Sequence, residues 1–215
     1  MVGLTIRYPN GRKYTPSSQS NGPRKVNHSF GNRGKTLEDE LNETNEYYVS
    51  HGIAVIHKKP VPIQVVNVNY PARSAAVITE AYFRTPSTTD YNGVWNGKHI
   101  DFEAKETKSL TSFPLQNIHE HQVEHMKRVH EQGGIAFFLI HFSSLDRYFV
   151  VPYEYFVEKW ERKIAGGRKS ITLGEMEEIS IEIQAGFNPR LDYLQAVRLW
   201  LDRLQKEATE RQEIE

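Results

Sequence analysis

The residues Ile135–Phe142, "IAFFLIHF", form an almost unbroken apolar run. A strand with one wet face alternates apolar and polar residues; a continuous run marks a strand buried on both faces. Such a strand needs cover above and below, and the rest of the chain supplies it. Leu37, Leu41, Thr44 and Tyr48 recur at helical spacing. Thr36 with Asp39 three residues on gives the start of that helix, and Gly52 gives its stop. A second helix is expected over "FPLQNIHEHQVEHMKRVHEQGG", closed by Gly133-Gly134, and a third over "YEYFVEKWERK", before Gly166-Gly167. A last helix follows Arg190 and frays into a charged end over residues 205–215. Strands are expected at "IAVIHKKP", Tyr91–Trp95, Lys98–Thr107 and "RYFVVP". This order implies an α/β fold: a mixed β-sheet flanked by helices on both sides.

Asn96-Gly97, flanked by β-type residues, is a two-residue hairpin turn. It pairs Trp95 with Lys98, and each step outward pairs the next residue on either strand. Asp90 then falls opposite Glu103. Within "HIDFEAKET", side chains alternate, so Asp101, Glu103 and Lys105 share one face while Ile100, Phe102 and Ala104 share the other. Carboxylates directly opposite each other repel unless a positive group lies between them. A divalent cation resolves the conflict, and Lys105 adds a second positive group. Mg²⁺ prefers oxygen ligands, commonly one or two carboxylates plus water and phosphate. It polarises a phosphate and acidifies bound water, while a lysine beside it can stabilise transition-state charge. The arrangement suits metal-assisted phosphodiester hydrolysis.

Projected at helical spacing, Leu115, Ile118, Met126 and Val129 fall within an arc of about 80° that also contains Gln122. A core-facing amide needs a partner. A metal, its water or a backbone group would each serve.

Charge is distributed unevenly. Lys+Arg and Asp+Glu both number 27, yet residues 1–35 hold seven basic residues and no acid. No acid occurs from Tyr47 to Thr79 either, where Lys58, Lys59 and Arg73 lie. A localised basic surface fits a large anion, nucleic acid above all. Residues 1–32 read as a basic arm outside the core, and residues 33–204 as the folded domain. The segment of about 61–83, β-prone at both ends and broken at Tyr70-Pro71-Ala72-Arg73, reads as a projecting hairpin-like excursion. The chain has no cysteine, which excludes disulfides and cysteine nucleophiles. It shows no secretory leader and no apolar run of about 18 residues. The expected location is the cytoplasm, associated with the nucleoid, with no membrane contact.

"STTDYNGVWNGKHIDFEAKETK" and "TSFPLQNIHEHQVEHM" resemble the RecU Holliday-junction resolvases of Gram-positive bacteria. So do "GNRGKTLEDELNETNEYY", "IAVIHKKPVPIQVVNVNYPARSAAVITEAYF" and "GRKSI" with "NPRLDYL". The resemblance runs from about Ile6 to about Leu194. It implies the restriction-endonuclease-like core of the PD-(D/E)xK nucleases, although Pro86 is not adjacent to Asp90 here. It further implies Mg²⁺ (or Mn²⁺) held by Thr88, Asp90, Glu103 and Gln122, with Lys105 as transition-state stabiliser. The implied protein is a homodimer that nicks four-way junction DNA in pairs and modulates the RecA recombinase. The 61–83 segment then corresponds to a stalk entering the junction, with Arg73 on phosphate and Phe83 stacked on a base. Arg33, Lys35, Lys58 and Lys59 complete the expected DNA-contacting set.

Asp101 shares the face of Glu103 without a metal role, as a supporting or solvated residue. His119, His121, His125 and His130 read as a pH-sensitive, partly DNA-facing surface. Alternative functions are a repair nickase or restriction enzyme on the same core, or a non-catalytic junction-binding module that modulates the recombinase.

Overall fold

In the computed structural model, residues 35–72, 75–84 and 88–214 are described; the expected arm over 1–32, with Arg33 and Arg73, lies outside them. The first helix, α1 (Leu37–Ser50), starts where its cap predicts. The Thr36 N–H donates to Asp39 Oδ2 at 3.0 Å and the Asp39 N–H returns to Thr36 Oγ1 at 3.2 Å, satisfying two donors that no helical carbonyl can reach. It ends at Gly52, whose φ of 65° suits a residue without Cβ. Leu37, Leu41, Thr44 and Tyr48 are all buried.

The main sheet has six strands. β1 (Val55–Lys58), β4 (Tyr91–Trp95) and β5 (Lys98–Thr107) are antiparallel neighbours; β7 (Ile135–Phe142) is parallel to β5; β8 (Arg147–Pro152) and β10 (Ile181–Ile183) continue antiparallel beyond it. Every residue of β7 is buried, as its composition requires. One core lies between the sheet and α1 with α5 (Tyr193–Ile214), the other between the sheet and α2 (Glu120–Glu131), α3 (Tyr153–Ile164) and α4 (Leu173–Ile179). The expected mixed sheet with helices on both sides is therefore what the chain forms.

Phe102 stacks between Tyr91 and Phe137 on the α1 face, with ring centroids 4.8 and 4.7 Å apart. Such pairs stabilise by about 0.5–1.5 kcal/mol each beyond their burial. Here they also pin register across three adjacent strands. A slip of one residue would carry Glu103 to the opposite face of the sheet, so the packing of Phe102 decides where the carboxylate points.

β2 (Ile63–Asn69) and β3 (Val77–Phe83) pair only with each other, as a two-stranded ribbon with a register shift around Val65–Val68. Most of its side chains are exposed on both faces.

Three expectations change. The helix expected from Phe113 begins at Glu120. Ser112–Pro114 instead forms β6, paired with β9 (Ser170–Thr172), and Leu115–Asn117 is one 3-10 turn. Pairing with β9, Phe113 opposite Ile171, holds this segment extended, and Phe113 and Leu115 bury themselves without a helix. The three-residue strands β6, β9 and β10, and α4, were not foreseen, since elements that short leave no periodicity to read. The C-terminal end is helical through Ile214 rather than frayed.

Candidate active site

The hairpin forms as the turn chemistry requires. Asn96 and Gly97 have φ of 48° and 74°, the two positive values of a type I′ turn. Trp95 pairs with Lys98 and Tyr91 with Phe102. One step beyond, Asp90 and Glu103 face each other, and the Asp90 N–H donates to Glu103 Oε2 at 3.0 Å.

Glu103 is completely buried. Its Oε1 takes the Lys105 ammonium at 2.5 Å and the Gln122 amide nitrogen at 2.5 Å. Burial pushes its pKa up to about 7; Lys105 pulls it down and the neighbouring Asp90 carboxylate pushes it up again. Two carboxylates here share the one Lys105 ammonium, which leaves the pair short of positive charge. Asp90 is half-buried against it, and Thr88, two residues before Asp90, is half-buried as well, so this edge of the site is reachable from outside. Carboxylates and a hydroxyl are the donors that a hard divalent cation takes, and the residues present fit Mg²⁺ or Mn²⁺.

Gln122 reaches the site in a role of its own. It is the third residue of α2, and its side-chain oxygen accepts from the His119 N–H at 2.9 Å. That bond fixes which end of the amide faces Glu103: the nitrogen. A flipped amide would set NH₂ against N–H. In this arrangement Gln122 caps α2 and orients Glu103.

Asp101 is 1% exposed, so it is not solvated. Lys59 Nζ donates to its Oδ2 at 2.9 Å and to Thr89 Oγ1 at 3.0 Å; the Thr89 hydroxyl donates to its Oδ1. The Nε2 of His125 lies 3.1 Å from Oδ2, and that of His99 3.5 Å. Lys59, expected on DNA, is thus turned inward, because a buried carboxylate without a counter-charge is costly. His125 likewise faces the interior. His121 Nε2 is buried without a hydrogen-bond partner, and desolvation, followed by His119 and Lys105, lowers its pKa.

Of the other expected DNA contacts, Lys35 pairs with Glu43 at 2.6 Å and Lys58 with Glu38, both near the surface. Phe83 is 75% exposed at the end of β3. Sequence reasoning missed Thr89 and the inward contacts of Lys59. Both depend on the β1–β4 pairing, which sets Lys58 against Tyr91 and the Lys59 N–H on the Asp90 carbonyl at 2.7 Å. No short-range signal announces a pairing between segments so far apart in the chain.

A mixed sheet with one acid just before a strand, a second on its paired strand and a lysine two residues beyond the second is consistent with the core of a PD-(D/E)xK-type nuclease. The chain belongs to the RecU family: the family model described as "Recombination protein U" matches residues 32–199. Among similar curated proteins is the "Holliday junction resolvase RecU" of Bacillus cereus (strain B4264), 55% identical over 194 residues, covering 90% of this chain and 97% of that protein. The protein of the same name from Bacillus cytotoxicus is 56% identical over 191 residues, 89% of this chain and 96% of its own length.

Proposed function

We propose that the chain is a divalent-metal-dependent endodeoxyribonuclease that resolves Holliday junctions by paired nicks in recombination and repair. The observation that carries this reading is the completely buried Glu103, held between Lys105 of its own strand and Asp90, the residue just before the neighbouring strand. The shared name of relatives that match nine-tenths of the chain points the same way.

Asp90 and Glu103 would hold Mg²⁺, with Thr88 beside them. When bound, the cation supplies a polarised phosphate oxygen and an acidified water. The protein's own contribution is positional. The β4–β5 ladder sets the carboxylates opposite each other. Gln122 and the Asp90 N–H keep Glu103 from rotating. Lys105, on a strand rather than a loop, places an ammonium where negative charge grows on the phosphate, and a preorganised charge acts there without reorganisation.

The wider reading follows from the resemblance. The protein works as a homodimer, because two sites are needed for two nicks. The exposed ribbon of β2 and β3 enters the junction as a stalk, with Phe83 available to stack on a base. RecA is a further partner on the resemblance alone, and the cytoplasm is the place of work. Among the described residues, no helix is long and apolar enough to cross a membrane.

The test is one cleavage assay on a mobile four-way junction, a three-way junction and linear duplex, with and without Mg²⁺. Metal-dependent symmetric nicks confined to the four-way junction are expected. Equal cutting of linear duplex would instead mean a general nickase, and binding without any cutting a non-catalytic module.

A further inference from the structure

The proposed metal site uses the "TTD" segment for its first and third residues, and leaves Thr89 unexplained. It also leaves Asp101 unexplained, a buried acid two residues before Glu103. These two residues are in direct contact. We infer that Asp101, Lys59 and Thr89 form a clamp that positions the Asp90 carboxylate for the metal. The inference rests on the reading of Asp90 and Glu103 as the metal site.

The argument begins with where β4 stops. Its ladder ends at Tyr91, so Thr88–Asp90 has no strand geometry of its own to hold it. Asp90 is the ligand on that segment, and a wandering ligand binds metal weakly. Three contacts compensate. The Lys59 N–H donates to the Asp90 carbonyl at 2.7 Å, extending the β1–β4 pairing by one residue. The Lys59 ammonium donates to Thr89 Oγ1 at 3.0 Å. The Thr89 hydroxyl in turn donates to Asp101 Oδ1, and Asp101 Oδ2 takes the same Lys59 ammonium at 2.9 Å.

The ring is closed: Lys59 to Thr89, Thr89 to Asp101, Asp101 to Lys59. Each member sits on a different part of the sheet. Asp101 is in the middle of β5 and rigid; Lys59 is one residue past β1; Thr89 is one residue before Asp90. The ring therefore ties the free end of the metal-bearing segment to the strand that carries Glu103. Thr89 is 2% exposed and Asp101 is 1% exposed, so water does not compete for these bonds. Their hydrogen-bond strength is raised by the same seclusion. Asp101 is charge-balanced from within its own ring, so Glu103 and Asp90 keep their charge deficit for the cation. Two of the three acids of "HIDFEAKET" thus divide the labour: Glu103 holds metal, and Asp101 holds the neighbour that holds metal. Partners of this kind typically set metal affinity by about 10–100-fold.

The experiment titrates the full-length protein with Mg²⁺, and separately with Ca²⁺ as a non-cleaving probe, by isothermal titration calorimetry. It compares wild type, Asp101→Asn, Thr89→Val, Thr89→Ser and Asp90→Asn. Binding of a four-way junction without divalent metal is measured alongside, with thermal unfolding to verify that each variant folds. Asp101→Asn and Thr89→Val should weaken metal binding by about 10–100-fold while junction binding without metal stays at the wild-type level. Thr89→Ser, which keeps the hydroxyl, should restore it. If Asp101→Asn does not fold, the Thr89→Val and Thr89→Ser pair decides alone. Wild-type metal affinity in folded Thr89→Val or Asp101→Asn overturns the clamp. Wild-type affinity in Asp90→Asn overturns the metal-site reading beneath it, so the two failures are told apart.

Discussion

Lys105 and Glu103 differ in what their loss should do. Lys105→Ala leaves the two carboxylates in place, and Glu103→Gln keeps the shape of the site while removing its charge. Both should abolish four-way junction cleavage, by at least about 100-fold for loss of one preorganised charge, and both should leave binding of the junction intact. Cleavage near the wild-type rate in either variant would remove the residue from the mechanism. Glu103 also carries a stability signature. Its folded pKa of about 7 lies above the usual carboxylate value of 4.5, so its neutral form is the favoured one in the folded protein. That contribution is complete below pH 4.5 and is lost as pH rises through 7. Without divalent metal, Glu103→Gln should therefore melt higher than wild type at pH 8, and the gap should close near pH 4. Added Mg²⁺ should raise the melting temperature of the wild type alone. Much of this residue-level picture was legible in sequence, because Asn96-Gly97 fixes a register that brings Asp90 opposite Glu103 by counting. Lys59 and Gln122 were not, since the partner that claims each comes from another element.

At the scale of elements, β1 is one edge of the main sheet and one glycine decides its place. A Cβ on Gly93 would lie 2.0 Å from the Val55 carbonyl oxygen and 2.6 Å from the Ile56 Cα. Gly93→Ala must push β1 away from β4, costing about 1–3 kcal/mol and withdrawing Lys59 from Asp90. Chemical denaturation measures the first effect and calorimetric metal titration the second; an alanine variant with unchanged stability would mean that β1 docks differently. A second element is set by charge. Arg162 on α3 grips Glu175, the third residue of α4, whose carboxylate also accepts from the Thr172 N–H at 2.9 Å. The guanidinium, with the Thr172 bonds, holds its pKa down at about 2 against the opposing pull of burial. The stability it gives is present above pH 4.5 and is lost as pH falls toward 2. Glu175→Gln should be less stable than wild type at neutral pH and equal to it near pH 2, as thermal unfolding across pH would show. Elements with a long period or a diagnostic turn were readable in advance: α1, the β4–β5 hairpin, β7. The boundary at Phe113–Asn117 was not, because the apolar spacing of Leu115 and Ile118 imitates a helix while a long-range pairing with β9 holds Ser112–Pro114 extended.

For the molecule as a whole, a net charge of zero conceals a strongly polarised chain. If residues 1–35 and the acid-free stretch from Tyr47 to Thr79 meet phosphate, junction affinity should fall steeply with salt as counterions are released. A flat salt dependence between 50 and 200 mM (roughly the range over which such binding loses orders of magnitude) would refute a basic nucleic-acid surface. The two-sided sheet was legible from "IAFFLIHF" alone, whereas the order in which its neighbours assemble depends on long-range pairings.

The bond from the Asp90 N–H to Glu103 Oε2 has one more consequence. It lies one residue beyond the last pair of the β4–β5 ladder, Tyr91 with Phe102, and its acceptor is a functional side chain rather than a strand carbonyl. Amide hydrogen exchange at Asp90 is therefore a built-in gauge of site assembly. The proton is protected only while Glu103 is in position, and its exchange rate reads the readiness of the site in a protein that need not cut anything.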